Sequence, residues 1–300
     1  MHENSYSERL DPELTSILSQ NPWGEMAKTI ISALNDDQLT QERFVLKQDE
    51  EIVQKVESLI RDEDCKLRLN LPPQPFIGHP TAKIWILQYN PGYSYGIDDF
   101  DYRGVLLPEF EHKRKETVSR LCDRIQLICD QYEFKRDVGF YAMDDRFFTF
   151  KSGARSGNGM YLWYNRTFFP EDGLFSHIEN QKEFADNNLF VMEYLPYHSR
   201  QFSHEFFPFL PSFKFWQQLM QYAFTHEKIV LCHGLSDCRS LKSCALQSVS
   251  GYQEAKTQGW IYTIQRSGNG RSRLMLKQEL IAPVNGIATS RLTDFLDTLR

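Results

Sequence analysis

Asn90 and two tyrosines follow an apolar run that is typical of a buried β-strand. The run in KIWILQYNPGYS (83–94) shows no alternation of apolar and polar residues, which predicts a strand covered on both faces. A turn then presents Asn90, with Tyr93 and Tyr95 behind it. An amide can orient a water molecule, and a tyrosine ring can stack on a planar ligand. Because ligands of parallel sheets bind beyond the carboxyl ends of the strands, we expect a binding site here.

A second apolar run brings a carboxylate and an imidazole to a similar position. Glu193 lies near the end of the predicted strand in LFVMEYLPYHS (189–199), and His198 lies in the turn that follows. His233 ends a third run, KIVLCHG (228–234), and is a second candidate for a proton donor. The alternatives are ordinary: each histidine is a structural residue, and Glu193 points into a network of side chains.

The elements that hold these residues alternate between strands and helices. Apolar runs of strand type begin at Lys83, Leu189, Lys228 and Trp260, and helical periodicity lies between them at 118–129 and 212–224. This alternation predicts an α/β fold with a central, mostly parallel four-stranded sheet and helices on both faces.

An N-terminal helical region precedes the predicted sheet. Helical spacing of apolar residues occurs at Asp11–Ser19, Glu25–Leu34 and Asp49–Arg61. The proline-rich segment LNLPPQPFIGHP (69–80) cannot continue a helix and is expected to be an extended connector. We therefore predict two units, a helical region at 1–70 and an α/β domain at 71–300.

Charge is distributed unevenly along the chain. Residues 1–70 carry 15 acidic and 8 basic side chains, while the formal net charge of all 300 residues is only −6. Positive charge is concentrated toward the C-terminus, where the glycine-rich loop RSGNGRSR contains Arg266, Arg271 and Arg273. These arginines are candidates for contact with nucleic-acid phosphates, and a plain solvated surface is the alternative.

Composition and missing motifs exclude several other classes of protein. No apolar run approaches the roughly 18 residues that span a bilayer, and the polar N-terminus lacks the features of a secretion signal, so we expect a cytoplasmic protein without a membrane partner. The six-residue intervals between Cys232, Cys238 and Cys244 lack the paired spacing of structural zinc sites, so no metal is predicted. Neither a phosphate-binding loop nor a dinucleotide fingerprint is present.

The order of the motifs resembles the uracil-DNA glycosylase superfamily. A strand ending in Asn-Pro-Gly, a later strand of the form Val-x-x-x-x-Pro and a strand ending in Gly occur in that order. The segments NPGYSYG (90–96) and VMEYLPY (191–197) are most similar to the single-strand-selective monofunctional branch. The resemblance covers roughly 75–270 and implies a three-layer sandwich. It also implies hydrolysis of an N-glycosidic bond in DNA, on a single-stranded or flipped-out base and without a cofactor.

The resemblance also implies roles for individual residues. Asn90 matches the position whose amide positions the attacking water, and Tyr93 and Tyr95 would stack on the extruded base. Glu193 occupies the position of an asparagine that reads the base in the related branch. A carboxylate accepts hydrogen bonds and repels carbonyl oxygens, so it suits an exocyclic amine better than the O4 of uracil. We therefore expect the substrate to be an amino-bearing or otherwise modified base.

One superfamily element is missing from the chain. The expected His-Pro-Ser motif, which donates to the leaving base, is absent after the fourth predicted strand. His198 is the first candidate to replace it and His233 the second. The alternative function is a glycosylase-like protein that has lost the chemistry and binds altered nucleic acid or a nucleotide as a sensor. A scaffold that acts through its acidic N-terminal helices is a third possibility.

Overall fold

A six-stranded mixed sheet is the centre of the part of the protein that the computed structural model describes. The described residues are 11–35, 43–91, 125–143, 167–199, 201–202, 210–233, 245–264, 276, 281–284 and 291–298. The strands are β1 (Phe76–Gly78), β2 (Ile84–Gln88), β3 (Leu189–Glu193), β4 (Ile229–His233), β5 (Ile261–Ile264) and β6 (Ile281–Pro283). Their order in the sheet is β1-β3-β2-β4-β5-β6.

The α/β class is confirmed, but the predicted number of strands is wrong. The four predicted strands form the parallel centre of the sheet, β3-β2-β4-β5. Strands β1 and β6 add antiparallel edges on either side. Each edge strand has only three residues, and β1 lies within the segment that was expected to be a simple connector. Strands so short carry no readable periodicity, and proline within or beside a strand is tolerated at a sheet edge.

The central strands are buried on both faces, as their unbroken apolar runs predict. Every residue of β2 and β3 is buried. Successive residues of a strand point to opposite faces, so a fully buried strand must be covered on both sides.

Helices lie before, between and after the strands. They are α1 (Pro12–Leu18), α2 (Trp23–Asn35), α3 (Glu50–Leu59), α4 (Gln181–Asn188), α5 (Phe213–Thr225), α6 (Tyr252–Thr257) and α7 (Arg291–Asp297), with further helical residues at 125–132. Helix α1 begins with Asp11 as its N-cap, whose carboxylate accepts from two backbone amides, and with Pro12 in its first turn. Across the described ranges, no helix combines the length and apolarity needed to cross a bilayer.

The N-terminal helices pack into the same apolar core as the sheet. The Trp23 ring lies 5.9 Å from the ring of Tyr132 and 6.2 Å from that of Tyr197. The Tyr197 hydroxyl donates to Asp49 at 2.8 Å, and the backbone amide of Ser212 donates to the same carboxylate at 2.9 Å. Burial raises the pKa of Asp49, an effect that these hydrogen bonds oppose. The division of the chain at residue 70 stays a prediction.

Two lysines join the amino ends of β2 and β4. Lys228 donates from Nζ to the backbone oxygen of Thr81 at 2.9 Å, and Lys83 donates to that of Glu227 at 2.8 Å. Burial, together with the nearby charge of Lys83, lowers the pKa of Lys228 to about 8. This reciprocal pair lies at the end of the sheet opposite to Asn90.

Candidate functional site

Three polar residues occupy one row across the carboxyl ends of the parallel strands. Gln88, the last residue of β2, pairs in register with Glu193, the last residue of β3. Leu87 pairs with Cys232 of β4, so His233 follows in the row of Gln88. Residues in register on parallel strands place their side chains on the same face of the sheet. We call Glu193, Gln88 and His233 the polar rim.

Asn90 lies in the turn just beyond the polar rim and is partly exposed. Its Nδ2 donates to the backbone oxygens of Pro91 and Ser199, both at 3.1 Å, and to Oγ of Ser199 at 2.9 Å. Because a backbone carbonyl oxygen can only accept, these contacts decide which side of the amide carries the nitrogen. The oxygen Oδ1 therefore points away from Ser199 and receives no hydrogen bond from the residues that the structure describes.

Ser199 orients Asn90, and the sequence did not predict this role. The Ser199 side chain is buried, and its Oγ donates to the backbone oxygen of Gln201 at 2.7 Å. A backbone hydrogen bond also joins the turn after β3 to the turn after β2: the amide of Leu195 donates to the backbone oxygen of Tyr89 at 2.9 Å. The only local signal was a serine next to His198, and nothing in the sequence connects it to a residue 109 positions away.

Tyr89 is the aromatic residue adjacent to Asn90 in the described part of the turn. Its ring lies edge-on to the ring of His233, with centroids 4.9 Å apart, and 5.0 Å from the ring of Phe202. The structure thus places His233 beside an aromatic ring at the polar rim. The predicted stacking residues Tyr93 and Tyr95 lie outside the described residues, so their role stays a prediction.

Glu193 is buried at the end of β3, with only 4% of its surface exposed. It borders a cavity of about 30 Å³ whose lining also includes Met192, Tyr194 and Trp216. That volume holds about one water molecule, so this cavity does not hold a nucleobase, and a base that contacts Glu193 would have to reach it from outside the cavity. The chain beyond residue 91 after β2, beyond 233 after β4 and beyond 264 after β5 continues outside the described residues.

A hydrogen bond to the backbone restrains the His198 side chain. Its imidazole is buried, and Nε2 lies 3.0 Å from the backbone oxygen of Pro72, to which it donates. The backbone oxygen of His198 accepts from the amide of Arg68 at 2.8 Å. These bonds attach the proline-rich segment to the turn after β3. A catalytic role for His198 stays a prediction, and with Nε2 donating to Pro72 the proton would have to be transferred through Nδ1.

The other predicted site residues are not described. Arg266, Arg271 and Arg273 lie outside the described residues, so their contact with phosphate stays a prediction. Within the ranges that the structure does describe, no group of three His, Cys, Asp or Glu side chains is arranged to hold a metal ion.

The described geometry combines an oriented acceptor with a row of polar groups, of which Glu193 and Gln88 are buried and His233 is partly exposed. Oδ1 of Asn90 can accept a hydrogen bond from a water molecule, and the polar rim can meet the edge of a planar polar ligand. Both lie at the carboxyl end of the parallel sheet, where ligands of such sheets bind. Comparison with known proteins adds nothing to this assignment, since no family model, curated protein or solved structure matches the chain.

Proposed function

We propose that the protein hydrolyses the N-glycosidic bond of a non-standard base in DNA, with Asn90 orienting the attacking water. The orientation of the Asn90 amide is the observation that carries this proposal. Three contacts to acceptor atoms of Pro91 and Ser199 engage its nitrogen, and they leave Oδ1 as an acceptor available for water. An enzyme gains rate by holding a nucleophile in the geometry of attack before reaction begins.

The chemistry assigned to Asn90 is positioning and electrostatics. A neutral amide is too weak a base to remove a proton from water, so the sugar must develop most of its positive charge before the water bonds to it. The partial negative charge of Oδ1 favours that cation and the water approaching it. The base would be extruded from the strand to reach the site, which costs least in single-stranded DNA.

The architecture implied by this proposal is the three-layer sandwich of the uracil-DNA glycosylase superfamily. The complete burial of β2 and β3 supports it. Contact of Tyr93 and Tyr95 with the base, and of Arg266, Arg271 and Arg273 with DNA phosphates, is part of the same proposal.

The experiment is a cleavage assay with the full chain and single-stranded oligonucleotides. Each oligonucleotide carries one base from a panel of uracil, hypoxanthine and modified cytosines, and alkali-labile abasic sites are counted. We expect cleavage of at least one amino-bearing or modified base, and a reduction of about 100-fold by Asn90→Ala. Cleavage that Asn90→Ala leaves unchanged would remove the proposed mechanism.

A second candidate function is binding of altered nucleic acid or a nucleotide without cleavage. The contact between His198 and Pro72 favours it, because it engages Nε2 of the first candidate proton donor and leaves only Nδ1 to protonate the departing base. Binding to an oligonucleotide of the panel with no abasic product, at any pH between 5 and 9, would support this sensor function.

A further inference from the structure

Gln88 is a buried glutamine whose amide nitrogen has no hydrogen-bond partner. Only 6% of the residue is exposed, and Nε2 makes no hydrogen bond within the part of the chain that the structure describes. Its backbone oxygen, in contrast, accepts from the amide of Tyr194 at 3.0 Å. The backbone oxygen is therefore paired at this point, and the unmatched group is the side-chain nitrogen.

An unpartnered buried amide is costly for the folded protein. Leaving such a donor unsatisfied destabilises the folded state, and a leucine of similar size would avoid that cost. Gln131 is a buried glutamine of the same protein whose side-chain amide is hydrogen-bonded through both its oxygen and its nitrogen. It is equally buried, and its amide forms two hydrogen bonds with the backbone of Gly78, at 3.0 and 2.6 Å.

The position of Gln88 indicates what its amide is for. It pairs in register with Glu193, so a carboxamide and a carboxylate lie side by side on one face at the carboxyl end of the sheet. Asn90, the proposed water-orienting residue, follows two positions later in the chain. A donor beside an acceptor matches a heterocycle edge on which a ring nitrogen accepts and the adjacent exocyclic amine donates.

We propose that Gln88 is a specificity-determining residue that reads the base together with Glu193. Nε2 of Gln88 donates to the ring nitrogen, and Glu193 accepts from the exocyclic amine. The ligand class is therefore an aminopyrimidine edge, as in cytosine and its derivatives. Uracil has an N–H and a carbonyl at those two positions, so it would meet the carboxylate of Glu193 with an oxygen. This inference rests on the proposed site for a nucleobase.

Stability of matched variants provides the first test. Gln88→Leu removes an unmatched donor, so we expect it to raise the melting temperature by about 2–4 °C. Gln131→Leu makes the same change at a paired buried glutamine and is expected to lower the melting temperature. A fall in both variants would mean that Gln88 is a structural residue, and the proposal would be overturned.

Binding without cleavage provides the second test. The probes are two single-stranded oligonucleotides with one 2′-fluoro-arabino nucleotide, bearing either cytosine or uracil, because the fluorine disfavours the sugar cation and blocks hydrolysis. We expect the full chain to bind the cytosine oligonucleotide about tenfold more tightly or better. Gln88→Leu and Glu193→Gln should each reduce that preference, while Gln131→Leu should keep it.

The two proposals fail in different measurements. Equal binding of both oligonucleotides, or binding of neither, would overturn base reading by Gln88. A preference for cytosine that Gln88→Leu leaves intact would overturn it as well. Preference that depends on Gln88, combined with no cleavage in the abasic-site assay, would remove the glycosylase activity but leave the base-reading role in place.

Discussion

The amide nitrogen of Asn90 lies 2.9 Å from Oγ of Ser199, so a serine of the turn after β3 orients the amide in the turn after β2. The two strands are adjacent and parallel in the sheet, and their carboxyl ends bring these turns together. Oδ1 is thereby left as the acceptor on which the proposed function depends.

Ser199→Ala tests whether this contact matters for cleavage. The variant removes one of three acceptors of the Asn90 amide, and the backbone oxygens of Pro91 and Ser199 remain. We expect kcat to fall about tenfold with little change in KM, because the amide loses orientation and not substrate contacts. Steady-state cleavage kinetics give the two constants separately. Ser248→Ala, which also removes a serine bonded to a backbone oxygen, is the control, and an unchanged kcat for Ser199→Ala would contradict the expected role.

His198 is tested with two variants that separate structure from catalysis. His198→Gln keeps an N–H that can reach the backbone oxygen of Pro72, so we expect stability and cleavage near those of the wild type. His198→Leu leaves that oxygen without its donor and should lower the free energy of unfolding by about 1–3 kcal/mol. Urea denaturation and the abasic-site assay measure both effects. Loss of cleavage in a stable His198→Gln would instead support His198 as the acid.

The pKa of Lys228 predicts how stability depends on pH. It is lowered from 10.5 to about 8 in the folded protein, chiefly by burial. Between these values the unfolded chain holds a proton that the folded chain has released, so stability should rise with pH in this range. Urea denaturation at several pH values from 7.5 to 10 should show wild type gaining free energy of unfolding relative to Lys228→Met. Lys214→Met, at an exposed lysine, should follow the wild-type profile, and parallel profiles for all three proteins would refute the assignment.

Asp49 links the N-terminal helices to the rest of the protein. Asp49→Ala leaves the Tyr197 hydroxyl and the Ser212 amide without their buried acceptor, and we expect it to cost about 2–4 kcal/mol of unfolding free energy. Glu51→Ala, at an exposed position two residues away, is expected to cost far less. Because burial raises the pKa of Asp49, the folded state binds its proton more readily than the unfolded chain. The stability of wild type relative to Asp49→Asn should therefore increase as pH falls from 7 toward 4.

We expect the N-terminal helices and the sheet to unfold together in a single transition. The contacts of Trp23 and Asp49 with the rest of the core predict that fluorescence and circular dichroism report one common midpoint for wild type. Two separate midpoints would instead support the division at residue 70.

Local sequence was sufficient for the elements that have a strong pattern. The unbroken apolar runs in β2, β3, β4 and β5 predicted buried parallel strands, and helical spacing predicted α1, α2, α3 and α5. These patterns are readable because each residue's burial follows from the period of its own element. The prediction of Asn90 at a strand end also came from local sequence, since proline and glycine mark the turn that presents it.

Tertiary structure decided everything that depends on which strands are neighbours. Strands β1 and β6 form because the edge strands of the parallel centre, β3 and β5, carry unpaired backbone N–H and C=O groups. Three residues are enough to pair with those groups on each side. The role of His198 as an acid stays a prediction, while its contact with Pro72, 126 positions away, results from packing against the connector. The pairings of Gln88 with Glu193 and of Asn90 with Ser199 join residues more than a hundred positions apart. No local propensity encodes such a pairing, because register between distant strands is set by burial of the whole sheet.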